Sequence, residues 1–144
     1  MAVNQLCLLA RDVFAIAGFI TKCKRLQFLT FFINTIKAVK ALTPDTTLET
    51  LIPDFKGIPD QIQRLIDAAP ELVSHNMETV ERLTRQVRVQ AKYHRSLGVL
   101  ETLKKGGMRT KTGMMLGLGE TKEEVVQSMK DLVNVGCDVL TLGQ

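Results

Sequence analysis

The sequence predicts an α/β chain, a partial parallel (β/α) barrel incomplete at both ends. Three observations predict it. From residue 32 onward, short runs rich in β-formers alternate with segments of helical period, at a repeat of roughly 25 to 35 residues. Glycine or proline punctuates nearly every junction, so the elements are short and separately bounded. The last strand pattern, Cys137 to Leu142, runs almost to Gln144 with no helix after it, which suggests part of a larger barrel.

The elements follow in order. Residues 1–31 are apolar but interrupted by Arg11 and Asp12 and carry no assignable pattern. No uncharged run there reaches the roughly 18 residues of a membrane helix; a secretory signal would want cations ahead of its apolar region, and an organelle transit peptide would want more Arg and Ser, so neither is expected. Residues 32–144 form the barrel portion. Phe32, Ile36 and Val39 recur at helical spacing, with the helix ending near Leu42 and a turn at Thr43-Pro-Asp45. Leu48 to Ile52 reads as a strand stopped by Pro53. Pro59 suits a first helical turn, and Ile62, Leu65, Ile66 and Ala69 form its buried stripe.

Glu71 to His75 is a short strand, after which Asn76 stands where it can cap a helix over Glu78 to Leu83. A longer helix from about Ala91 places Tyr93, Leu97, Leu100 and Leu103 on one face and stops at Gly106-Gly107. The stretch Met108 to Glu124 then reads as strand, glycine turn and helix start, because Thr121 and Glu124 have capping-box spacing. That last helix turns Val125, Met129, Leu132 and Val133 inward and ends at Gly136.

Composition narrows the functional classes. With 45% hydrophobic and 24% charged residues the chain is globular, and its net charge of +4 favours anionic partners without selecting one. The three cysteines, Cys7, Cys23 and Cys137, and the two histidines, His75 and His94, show no metal-binding spacing, so no metal site is predicted.

Ligands of parallel α/β folds gather at the carboxyl ends of strands. Three such ends stand out: Pro53-Asp54, His75 to Glu78, and Gly117 to Glu120. An amide and a carboxylate two residues apart, Asn76 and Glu78, suit a vicinal diol such as ribose; the plainer alternative is a helix cap and a favourable first-turn charge. The glycine turn lets a ligand approach the backbone, although it matches neither familiar phosphate-binding pattern. Arg82, Arg85, Arg88, Lys92 and Arg95 lie three or four apart with no acidic residue among them. On one helix they make a stripe for phosphates or an acidic partner, or simply a solvated face; without an aromatic platform, nucleic acid is not predicted.

Four motifs in order and spacing, Ala41-Leu-Thr-Pro-Asp-Thr-Thr-Leu-Glu-Thr-Leu-Ile-Pro-Asp-Phe55, His75-Asn-Met-Glu-Thr-Val80, Lys111-Thr-Gly-Met-Met-Leu-Gly-Leu-Gly-Glu-Thr121 and Leu140-Thr-Leu-Gly-Gln144, closely resemble lipoyl synthase. The resemblance covers residues 32–144. It implies a radical S-adenosylmethionine (SAM) enzyme on a partial (β/α) barrel, inserting sulfur into an octanoyl chain carried on a protein lysine. One [4Fe-4S] cluster would cleave SAM reductively and a second would give up sulfur. The implied partner is an octanoylated lipoyl-carrier protein or domain, the implied state a monomer without a membrane span. The implied compartment is the bacterial cytoplasm, or a mitochondrion or plastid.

Position by position, the resemblance gives Asn76 and Glu78 the ribose hydroxyls, Arg88 the methionyl carboxylate with Arg95 second, and the backbone of Leu116, Gly117, Leu118 and Gly119 the adenine. Lys111 would line the same cavity near Glu78. Two departures accompany these matches: residues 1–31 hold neither the Cys-x-x-x-Cys-x-x-Cys loop nor the second cysteine set, and the family's closing Arg-Ser-Ser-Tyr motif is absent. By this reading the chain has part of a cofactor pocket and no iron ligands, and is inactive alone. The alternative is a non-catalytic module binding SAM or an acidic protein.

Overall fold

The computed structural model describes residues 5–9 and 22–144. Five strands form one sheet in the order β1 (Gln5–Leu9), β2 (Thr47–Leu51), β3 (Leu72–Ser74), β4 (Arg109–Met115), β5 (Val139–Gly143), and every neighbouring pair is parallel. Strands that are neighbours in sequence are neighbours in space, which is the winding of a (β/α) barrel wall rather than of a doubly wound sheet. The expected fold class holds.

The crossovers are α1 (Lys22–Leu42), α2 (Pro59–Ala68), a pair of short helices α3 (Glu81–Val87) and α4 (Tyr93–Lys105), and α5 (Lys122–Asn134). Alternation along the strands sorts their side chains onto two faces. Leu48 and Val73 face the helices and are buried with Leu29, Phe32, Ile36, Leu65, Val99 and Leu103. A second cluster joins Met77, Val80, Leu83, Tyr93, Leu97, Leu100, Met114 and Leu132, so the α3–α4 pair packs beside the carboxyl-terminal parts of β3 and β4.

Several expectations are corrected. The first helix begins at Lys22, not near Phe32, and β1 lies inside the segment left unassigned from sequence. The strand's Leu6-Cys-Leu-Leu9 run is continuously apolar, with no alternation to announce it; its pairing with β2 defines it. The expectation of no membrane span for residues 1–30 falls largely outside the described residues, among which no helix is long and apolar enough to cross a membrane. Ala69 is exposed, because it is the left-handed C-cap of α2 (φ 51°), and Ala68 is buried in its place. Val133 points outward and is 74% exposed. Asn76 caps no helix: α3 starts only at Glu81, with Val80 at its N-cap. The capping box of Thr121 and Glu124 forms as expected.

Candidate functional site

The stretch after β3 is pinned to β4, and this fixes where its side chains go. Glu78 takes a left-handed backbone (φ 66°), donates its N–H to Gly113 O (2.9 Å) and accepts from Met115 N–H (2.8 Å). Thr112 ties the same segment from the helix side, its hydroxyl donating to His75 O (2.8 Å) and accepting from Met77 N–H (3.0 Å). Residues 75 to 78 therefore extend β3 irregularly along β4. Asn76 lands against Gly113, where an added Cβ would come within 2.9 Å of its Oδ1. Glycine at 113 is what lets the Asn76 amide lie there, a requirement the sequence did not single out.

Among the described residues, the Asn76 amide and the Glu78 carboxylate have no hydrogen-bonding side-chain or backbone partner. Both are only half-buried. They are polar groups with open valences, two residues apart in the chain just past the end of a parallel strand.

The cations do not form one stripe. Helix breakage after Val87 puts them on two helices and a loop, and three of the five, Arg82, Arg88 and Arg95, find separate partners. Arg82 engages Glu124 and Gly119 O, and Arg95 engages Asp54 (Nη2 to Oδ2 2.6 Å) and Gln90 O. Arg85 and Lys92 are exposed. Arg88 is half-buried; its Nη1 donates to Ser96 Oγ (3.1 Å) and Met77 O (3.2 Å), while its Nε and Nη2 meet no acceptor among the described residues. Burial draws its pKa down, opposed by the nearby Glu78 and Asp54 carboxylates.

Lys111 lies on the helix-free face, but its partner is Glu49 of β2 (2.9 and 3.1 Å), not Glu78. Ser74 donates to the same carboxylate at 2.6 Å. The sequence had not singled out Glu49, whose place inside a β-rich run conceals its inward orientation.

The glycine turn is shaped by its own acid. Glu120 accepts from the N–H groups of Gly117 and Leu118 (2.9 Å for the second), which keeps its pKa below the usual carboxylate range. Leu116 N–H is bound to Gly143 O at 2.7 Å. Three of the turn's donors are thus internally satisfied, contrary to a simple picture of free N–H groups, and Gly119 O accepts from Arg82.

A sequentially wound parallel sheet with such groups at the ends of β3 and β4 defines a class, and comparison identifies it. Residues 3–132 match the radical SAM superfamily, and the chain belongs to it. Within that superfamily the chain is similar to lipoyl synthases: 63% identical over 112 residues to that of Christiangramia forsetii (77% of this chain, 38% of the relative) and 60% identical over 114 residues to that of Flavobacterium johnsoniae (78% and 40%). The mitochondrial lipoyl synthase of Nematostella vectensis is 59% identical over 112 residues, covering 77% of this chain and 38% of the relative. The chain thus spans about two-fifths of the length of these relatives.

Among solved structures, methylornithine synthase superposes with a TM-score of 0.64 at 17% identity, over 80% of this chain and 34% of that one. Coproporphyrinogen III oxidase from Escherichia coli gives 0.57 at 13%, over 85% and 29%. These two likenesses establish the fold. Superfamily membership implies SAM and an iron–sulfur centre as cofactors.

The residues present fit one of those groups and not the other. The amide of Asn76, which Gly113 makes room for, the Glu78 carboxylate and the open edge of the Arg88 guanidinium are of a chemistry that fits the nucleoside and carboxylate of SAM. Iron has no comparable place: among the described residues no cluster of cysteine, histidine or carboxylates stands together, and Cys137 is isolated with its thiol pushed up by burial.

Proposed function

We propose that this chain is the SAM-binding portion of a lipoyl-synthase-type barrel, whose complete form inserts sulfur into protein-bound octanoyl groups. The observation that supports the reading is the pair Asn76 and Glu78, two residues apart on the segment that runs along β4 past the end of β3, with side chains that meet no hydrogen-bond partner among the described residues. An amide and a carboxylate so placed take the two hydroxyls of a ribose.

The other groups fall around that pair. Arg88 presents a fork edge suited to the methionyl carboxylate, since guanidinium and carboxylate pair through two parallel hydrogen bonds. Arg95, with its fork on Asp54, is the weaker candidate. The carbonyls of the Leu116 to Gly119 turn suit the exocyclic amine of adenine, and Lys111 with Glu49 gives the helix-free face a polar floor. Bound there, SAM supplies the hydrogen-abstracting chemistry of the superfamily; this chain's residues bind and orient it.

The two [4Fe-4S] clusters and the octanoylated lipoyl-carrier partner belong to the complete enzyme in this reading. The chain works as a monomer, in the cytoplasm of a bacterium or in a mitochondrion or plastid. In this reading the chain is inactive by itself, because its described residues bring no set of iron ligands together.

Isothermal titration with SAM tests the proposal. Asn76→Ala and Glu78→Ala are each expected to weaken binding about tenfold or more, the loss of one or two hydrogen bonds to a buried diol. Unchanged affinity in both variants removes the ribose assignment. Anaerobic reconstitution of the chain with iron and sulfide should give no stoichiometric [4Fe-4S] absorbance, and a stoichiometric cluster would overturn the inactive-alone reading.

A further inference from the structure

We propose that His75 and Ser96, neither of which reaches the pocket, are positioning residues that fix Arg88 for its carboxylate. This rests on the reading of Arg88 given above, and it assigns a role to two buried polar groups that nothing else in the site uses.

The hydrogen-bond directions follow from chemistry. Ile52 O can only accept, so the His75 Nδ1 that lies 3.1 Å from it carries the proton. The imidazole is fully buried and stays neutral, burial holding its pKa near 4, so Nε2 is an acceptor. The Ser96 hydroxyl, 2.9 Å away, must then donate to Nε2, and its lone pairs turn toward Arg88 Nη1 at 3.1 Å. The chain runs Arg88 to Ser96 to His75 to Ile52 O, each member donating to the next. Reversing any link would leave two donors or two acceptors facing each other.

Its effect falls on the other edge of the guanidinium. Arg88 lies just beyond α3, in the loop before α4, where an arginine would otherwise sample many rotamers. Ser96 in the first turn of α4 and Met77 O beside β3 hold one nitrogen from two elements, leaving Nε and Nη2 as a fork of fixed direction. A carboxylate meeting a fixed fork forgoes less side-chain freedom than one meeting a mobile arginine.

The test compares SAM with 5′-methylthioadenosine, which keeps the nucleoside and sulfur and lacks the amino acid, on the whole chain. In the wild type SAM should bind more tightly. Ser96→Ala should reduce that preference about tenfold while leaving methylthioadenosine affinity unchanged, since only the carboxylate contact loses its anchor. An NMR arm reads the relay without ligand: the wild type should show the Nδ1-protonated His75 tautomer and slowed rotation of the Arg88 guanidinium, with that rotation fast in Ser96→Ala and His75→Gln.

Equal loss for both ligands, an unchanged preference, or an Arg88 equally restrained in the variants overturns the inference and leaves the pocket standing. Failure of the wild type to bind either ligand, with the NMR signature intact, overturns the cofactor reading, and the carboxylate role of Arg88 with it.

Discussion

The guanidinium of Arg82 on α3 holds both oxygens of Glu124 on α5, Nε to Oε1 at 2.6 Å and Nη2 to Oε2 at 3.0 Å, while the same Nη2 donates to Gly119 O at 2.9 Å. One side chain thus joins α3, the turn after β4 and the first turn of α5. The turn proposed for adenine is braced from outside by a residue that the sequence grouped with four other cations.

This contact has a pH signature. The Arg82 hydrogen bonds and the Thr121 N–H hold the Glu124 pKa at about 2, below its ordinary 4.5. A carboxylate with a lowered folded-state pKa contributes stability above its unfolded value and loses it as pH falls toward the folded one. Urea denaturation of the wild type should therefore weaken between about pH 4.5 and 2 more steeply than that of Glu124→Gln. In Arg82→Ala, amide exchange at Gly117 to Glu120 should quicken at neutral pH.

His75 supplies a second window, at higher pH. Its folded pKa of about 4 lies below the ordinary 6.5, through burial first and then the Arg88 and Arg95 charges, against Ile52 O and Asp54. The neutral ring is the folded form, so its contribution is complete above pH 6.5 and declines as pH falls toward 4. The decline should reach about 3 kcal/mol, and His75→Gln should flatten the stability profile over that range.

Lys111 and Glu49 form a pair on the helix-free face, with the Glu49 side chain nearly inaccessible and Lys111 about a third exposed. Removing the ammonium takes one charged donor from a nearly inaccessible carboxylate that Ser74 also binds. Lys111→Met is expected to lower stability by about 1–3 kcal/mol, and adding Glu49→Gln should recover part of it. Thermal or urea unfolding of the two variants measures both effects.

Gly113→Ala separates site from fold. The new methyl would reach 2.9 Å from Asn76 Oδ1, so the amide must move while the strand pairing can remain. SAM affinity is expected to fall about tenfold with the far-UV circular dichroism unchanged. Full affinity in this variant would show that Asn76 does not hold the ligand in its present position.

Much of the fold was legible because its signals are local. The stripe of Tyr93, Leu97, Leu100 and Leu103 and the box of Thr121 and Glu124 depend on residues three or four apart. The misreadings came where a distant partner decides. Strand β1 is specified by pairing with β2, forty residues on in the chain, and Lys111 by a carboxylate two strands away. Asn76 had two local readings, cap or ligand, and only the β4 pairing that delays helix formation to Glu81 withdrew the first.

By itself, the sequence determined the α/β class, the alternation that makes the sheet parallel, the strand ends that carry the proposed site, and the resemblance to lipoyl synthase. These follow from periodicity, punctuation and motif order, which are properties of neighbouring residues. The tertiary structure decided that the half-buried Arg88 is held on one edge and open on the other, that Gly113 makes room for Asn76, and that His75 and Ser96 lead to Arg88. Hydrogen-bond valence is settled by whichever groups folding brings within about 3 Å, and those groups come from separate strands and helices.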